Sequence, residues 1–120
     1  MEQRTNQRFH DILKNKIDAY VHDVYKYTKS YPKDEIFGAT SQHRRAALSV
    51  ALNYIEGYAR IRDKVYKNFL EISYGSLKES QYLVNFAFKE GWTREEEHTE
   101  LFAKGDEVGA MIWSTFERFS

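Results

Sequence analysis

Hydrophobic positions in this chain recur at spacings of three and four, the period of a helix that buries one side. At 100° per residue, Ala47, Val50, Ala51, Tyr54, Tyr58 and Ile61 share one apolar face. Leu48, Leu52, Ile55 and Ala59 make a second apolar strip beside it. Arg45, Ser49, Asn53, Glu56 and Arg60 line the remaining side, with Gly57 at its border. A solvated face is ordinarily a loose mixture of Lys, Glu and Gln. A guanidinium, a hydroxyl, an amide, a carboxylate and a second guanidinium in a row point instead to fixed partners.

The same periodicity predicts four helices, over about residues 6–30, 40–61, 63–89 and 93–118. In the first, Leu13, Ile17, Tyr20, Val24, Tyr27 and Tyr31 form the seam of a helix packed nearly parallel to its neighbours. Pro32 ends it, because the residue before a proline is pushed out of helical geometry. Lys33 to Phe37 are expected to form a short helical turn, with Gly38 as its stop and Thr40 or Ser41 capping the second helix. The third helix shows two apolar faces, Phe69, Ile72, Ser76, Leu83 and Ala87 on one and Leu70, Leu77, Val84 and Phe88 on the other. Gly91 is a natural stop. Thr93 with Glu96 reads as a capping box for the fourth helix, whose seam is Leu101, Gly105, Val108, Ile112, Phe116 and Phe119. Gly105 and Gly109, four residues apart, each weaken a helix by roughly 1 kcal/mol against Ala; close approach by another helix is the expected return.

Short connections between four long helices predict an all-α, up-down-up-down antiparallel four-helix bundle, one domain over residues 1–120. Helices two and three carry more apolar surface than one core-facing stripe requires. Self-association is therefore expected, into a closed ring or a dimer, with Leu48, Leu52, Ile55, Leu70 and Leu77 as the candidate oligomer interface.

Composition agrees. The chain has 42% hydrophobic and 30% charged residues, one proline and six glycines, too few turn formers for a many-stranded fold. Lys plus Arg and Asp plus Glu are 18 each, so the formal net charge is zero. That counts against a dedicated nucleic-acid binder, though not against a local basic patch. There is no cysteine, and hence no disulfide or thiolate chemistry. No apolar run is long enough to span a membrane, and Met1 to Asn6 lack the apolar core of a secretory signal. A cytoplasmic location is expected.

Candidate chemistry is sparse. Arg44, Arg45, Arg60, Arg62, Lys64 and Lys67 lie near the two ends of helix two and the start of helix three. They are candidate nucleic-acid contacts, a phosphate-facing patch multiplied by assembly. The plainer reading, structural pairing with carboxylates, carries more weight, because Arg44 and Arg62 sit near opposite helix ends. Glu79 lies beside Ser76 and Leu83 on a mostly apolar face and, if buried, needs a partner. Arg45 is the first choice and Arg44 the next. Arg45, Asn53, Glu56, Arg60 and Glu79 thus form a candidate polar network. Glu56 with Glu79 as acid and base lacks a nucleophile or positioned histidine. Glu95-x-x-His98 has the spacing of a di-iron ligand pair, but that chemistry needs two such pairs and two further carboxylates. His10, His22 and His43 have no ligand partners at useful spacing, and His43 reads as a hydrogen-bonded packing residue. Trp92 and Trp113, with Phe86, Phe88, Phe102 and Phe119, read as core or oligomer contacts ahead of a partner groove. No cofactor is implied.

The motifs Tyr31-Pro32-Lys33-Asp34-Glu35 and Gly38-Ala39-Thr40-Ser41-Gln42-His43-Arg44-Arg45-Ala46-Ala47 occur in order. Ser49-Val50, Asn53-Tyr54-Ile55-Glu56-Gly57-Tyr58-Ala59-Arg60, Phe69-Leu70-Glu71-Ile72 and Gly75-Ser76-Leu77-Lys78-Glu79 follow. With these the chain resembles the four-helix-bundle family encoded by intervening sequences of bacterial large-subunit ribosomal RNA genes, over about residues 8–118. The family often has proline where this chain has Ala51, glycine where it has Ala59, and a small residue where it has Ile55. The resemblance implies a left-handed bundle assembled as a homopentamer, with no established enzymatic activity. Related bundles serve as accessory proteins of diversity-generating retroelements, engaging a reverse transcriptase and its RNA. Those look strongly basic and this chain is neutral, so that role ranks second. The expected function is a non-catalytic, self-assembling interaction or scaffold protein, with RNA as a candidate partner. A metal-dependent bundle enzyme ranks last.

Overall fold

The computed structural model describes residues 7–119. Met1 to Asn6, including the expected first residue of helix one and the stretch read for a secretory signal, lie outside the described residues. The chain forms α1 (Gln7–Tyr27), α2 (Ala39–Tyr58), α3 (Asp63–Lys89) and α4 (Glu95–Glu117), with 3-10 turns at Thr28–Ser30 and Lys33–Glu35 between α1 and α2. Among the described residues there is no strand. The body measures 46 × 25 × 20 Å.

Side-chain pairs give the register. Ser80 meets His43, Ser76 meets Ser49, and Ser73 meets the Val50 carbonyl, so α3 runs antiparallel to α2. Asn85 with His98 and Gln81 with Asp106 run α4 antiparallel to α3. Asp23 with Lys104 and Lys16 with Glu107 close α1 against α4. Each helix thus packs on two neighbours around a core of Leu13, Ile17, Tyr20, Val24, Val50, Tyr54, Leu70, Leu77, Val84 and Ile112.

The α2–α3 contact is close, and small residues make it so. A Cβ on Gly57 would stand 2.6 Å from the Phe69 Cβ, inside any real contact distance. Ser49, Ser73, Ser76 and Ser80 continue the seam, which lets the backbones approach. Their hydroxyls stay satisfied: Ser73 donates to the Val50 carbonyl at 2.7 Å, and Ser49 and Ser76 bond each other at 2.7 Å. Gly105 and Gly109 give the expected close approach of α4 to α3, with Gln81 2.8 Å and Leu77 3.1 Å from where a Cβ would sit.

Three local expectations need correction. Neither Thr40 nor Ser41 caps α2; the Glu35 carboxylate reaches forward and accepts the Ala39 N–H at 3.0 Å. The α4 capping carboxylate is Glu97, which accepts the Arg94 N–H at 3.1 Å, and Thr93 bonds the Tyr27 hydroxyl instead. The buried face of α3 is Tyr66, Leu70, Ser73, Ser76, Leu77, Ser80, Gln81, Val84 and Ala87. Ile72, grouped with Phe69, Ser76, Leu83 and Ala87 on one apolar face, is 50% exposed because the serines occupy the seam. The Gly91 stop holds, with φ at +81°.

Candidate interaction surface

The outermost line of α2 is apolar where solvent would favour charge. Leu48, Leu52 and Ile55 are all exposed, Leu52 to 62%. The Ser49–Ser76 and Val50–Ser73 pairs set Ile72 of α3 level with Leu52, on the flank of α3 that faces α2. Among the described residues, nine of the eleven exposed large hydrophobics belong to α2, α3 or the segments leading into and out of α2. They include Phe37 at 95% and Ile61 at 85%. The excess is therefore concentrated on one side of the bundle. Leu70 and Leu77 do not join it. Both are 0% exposed, packed in the protomer core. The spacing that aligned them with an outer face is the spacing of the true core stripe, and Ile72 takes the place they were assigned.

The proposed Arg45–Glu79 pair does not form. Both residues are exposed, and among the described residues neither makes a hydrogen bond or ion pair. The neighbouring Ser80 turns inward, which rotates Glu79 out by one helical step. Arg44 does not serve Glu79 either. Its Nε donates to Thr28 Oγ1 at 2.8 Å, and its guanidinium lies 4.7 Å from the Tyr25 ring centroid, fastening α2 to the end of α1. Within the predicted polar stripe, Asn53 donates to the Ser49 carbonyl and hydroxyl, both at 2.9 Å, and Arg60 pairs with Glu56.

The cations do not gather into one patch. Arg44 lies in the first half of α2 and Arg60 two residues past its end, so roughly 20 Å of helix separates them at the helical rise. Arg60 also lies over Phe69, and Lys67 over Phe116, at 5.3 and 4.8 Å. Arg60, Arg62 and Lys64 share the exposed α2–α3 turn around Ile61.

One buried polar chain escaped detection as a unit. His43, fully enclosed, contacts the Tyr31 hydroxyl through Nδ1 at 2.8 Å and Ser80 Oγ through Nε2 at 2.9 Å. Ser80 also meets the Tyr20 hydroxyl at 2.8 Å. A neutral imidazole serves both contacts, donating at one nitrogen and accepting at the other. Burial lowers the His43 pKa from 6.5 to about 3 and pushes Tyr20 up to about 12. It raises Tyr31 as well. Ser80 and His43 form a nucleophile–base pair by distance alone, but both are 0% exposed, so no substrate reaches them. The serine gave no signal, since a hydroxyl in an apolar period reads as a gap.

The remaining candidates resolve into packing. His98 Nε2 lies 2.6 Å from Asn85 Oδ1 and its ring stacks on Phe88, away from any ligand set. Among the described residues no group of three or more potential metal ligands converges. His10 stacks between Tyr54 and Tyr58 and contacts the Tyr54 hydroxyl at 2.6 Å; burial lowers its pKa. The aromatic residues divide between the two ends of the bundle: Trp92 packs on Tyr31 and Phe86, Trp113 on Tyr74 and Phe116. Among the described residues no helix is long and apolar enough to cross a membrane.

The profile of the 23S rRNA-intervening sequence protein family matches residues 11–114. The chain belongs to this family. No curated protein matches it. The crystal structure of a protein of unknown function from the S23 ribosomal protein family of Bacteroides thetaiotaomicron is similar, with a TM-score of 0.78. The similarity covers 87% of this chain and 97% of that one at 17% identity, which speaks for the fold alone. The intervening-sequence family thus accounts for four helices around a shared core, and leaves the outer surface to be read from this chain's own residues.

Proposed function

We propose that the chain is a non-catalytic, self-assembling scaffold whose copies cover one another's α2–α3 face. One observation carries the reading: Leu48, Leu52 and Ile55 stand exposed in line, with Ile72 level beside them. A lone exposed Leu is ordinary, whereas an aligned strip marks an interface. A homopentamer is the subunit number that the family resemblance favours. The scaffold reading assigns no enzymatic activity, and it is supported by the Ser80–His43 pair being sealed in the core. Light scattering on purified protein tests the reading. An integral multiple of 14.3 kDa at micromolar concentration is expected; a 14.3 kDa species throughout overturns it.

RNA contact is the second reading, favoured by Arg60, Arg62 and Lys64 at one exposed turn. Assembly would repeat that turn around a ring and multiply weak phosphate contacts. Binding to single-stranded RNA should fall steeply between low and moderate salt. No binding at low salt removes it. A retroelement accessory role draws less support, given zero formal net charge.

A further inference from the structure

We propose that the groove between α3 and α4 binds an unpaired guanine base, holding its hydrogen-bonding edge between Lys78 and Asp106. The site is independent of self-association, because it lies on the other flank of α3 from the exposed apolar strip.

The groove encloses about 400 Å³ and is lined by Tyr74, Lys78, Asp106, Gly109, Ala110 and Trp113. A cavity of ~150 Å³ admits a benzene ring, so a purine has room. The floor is open because Gly109 and Ala110 offer a hydrogen and a methyl where a helix could carry long side chains. One end is aromatic. Trp113, 47% exposed, stacks on Phe116 at 5.5 Å and meets Tyr74 at 5.4 Å. These rings touch each other, so a flat ligand lies beside them over the floor rather than between them.

The other end is polar and built from within. Gln81 is 3% exposed, and Gly105 is what admits it, since a Cβ there would stand 2.8 Å from Nε2. The Gln81 amide donates to the Asp106 carboxylate at 3.0 Å and to the Phe102 carbonyl at 3.1 Å, and accepts from the Lys78 ammonium at 3.3 Å. One buried side chain thus fixes a cation and an anion side by side at the rim, on different helices. Both keep capacity to spare, because an ammonium has three donors and a carboxylate two oxygens.

A ligand for this end needs an acceptor beside donors on the edge of a flat ring. Guanine has that edge: O6 accepts, and the adjacent ring N–H and exocyclic amine donate. Lys78 bonds O6 while the Asp106 carboxylate takes both N–H groups. Adenine and cytosine each put one amine on that edge and uracil one N–H, so a carboxylate holds each by a single bond. Beyond the aromatic end, Lys67 lies over Phe116 at 4.8 Å and is outnumbered by Glu71 and Glu117. The base, not its phosphate, is therefore what the groove selects.

Fluorescence titration tests this. Trp92→Phe, at the opposite end of the bundle, leaves Trp113 as the sole tryptophan. Guanosine should quench it saturably, with adenosine and uridine weaker by about ten-fold or more, the cost of losing a bidentate pair. In that background Asp106→Asn should lose guanosine by a similar factor and gain xanthosine, whose C2 oxygen accepts where the guanine amine donates. Misfolding would not produce that gain. A uracil pentanucleotide with one central guanine separates the sources of the base. Binding at least as tight as guanosine places it in single-stranded RNA, and weaker binding places it in a free nucleoside. Should Trp92→Phe lose helicity by circular dichroism, calorimetry on wild type reads the same contest. Adenosine bound as well as guanosine, no binding of any nucleoside, or Asp106→Asn holding guanosine unchanged overturns the proposal. The groove is complete in one protomer, so that result leaves the scaffold reading standing, and a monomeric protein leaves the groove standing.

Discussion

Acid should weaken this bundle through His43 in a way that can be isolated. The imidazole is fully enclosed, and burial holds its pKa near 3 in the fold against 6.5 unfolded. Between those values the unfolded chain binds a proton that the folded chain refuses. The stability attached to neutral His43 is thus complete above pH 6.5 and drains away as pH falls toward 3, at ~1.4 kcal/mol per pH unit. From pH 7 to pH 5 the loss from this residue alone is about 2 kcal/mol. An imidazolium there would donate to both hydroxyls, forcing Tyr31 and Ser80 to find new acceptors for their own protons in a dry core. Urea unfolding of wild type and His43→Gln at both pH values measures it. The variant is less stable at pH 7, and the gap between the two should shrink by about 2 kcal/mol at pH 5. His10, also lowered by burial, acts with the same sign but is common to both proteins and cancels. Histidine-ring NMR of the native protein gives a second reading that needs no variant. A native His43 titrating near 6.5, or a stability gap unchanged between pH 7 and 5, refutes the reasoning.

Further substitutions probe the helix seam and the surface. Gly57→Ala should destabilise by about 1–3 kcal/mol despite its better helix propensity, because the added methyl meets the Phe69 Cβ at 2.6 Å; a stabilised variant in urea melts would mean the two helices are farther apart. Glu79→Ala and Arg45→Ala should each change stability by less than ~0.5 kcal/mol, as exposed unpaired residues do, and losses above ~2 kcal/mol would restore a buried pair. Tyr31→Phe strips His43 Nδ1 of its partner and should weaken the fold by ~1–3 kcal/mol; unchanged thermal unfolding would show the bond to be idle.

The first seam was legible from spacing alone: Leu13, Ile17, Tyr20, Val24 and Tyr27 of α1, and Tyr31 beyond its end, are all buried. The α4 seam held through Leu101, Gly105, Val108 and Ile112, with Phe116 and Phe119 at its half-exposed end. Both helices bury apolar residues, so apolar periodicity finds them. On α3 the rule inverts. Ser73, Ser76 and Ser80 are buried because the Val50 carbonyl, the Ser49 hydroxyl, and the His43 ring with the Tyr20 hydroxyl satisfy them in turn, and Ile72 is left outside that seam. Such a choice depends on the partner helix, which a single helix's pattern does not contain. Glu79 failed for the same reason: its neighbours looked apolar, and the inward step belonged to Ser80. Excess apolar surface was legible in Leu48, Leu52 and Ile55. Leu70 and Leu77 were not separable from it, since core and interface stripes share one period.

Sedimentation of wild type beside Leu52→Glu addresses the central claim most directly. Leu52 is 62% exposed, so a carboxylate there should leave folding intact while charging the middle of the strip. Wild type is expected as a multiple of 14.3 kDa and the variant as a folded species of 14.3 kDa. Equal masses for the two proteins would contradict the account.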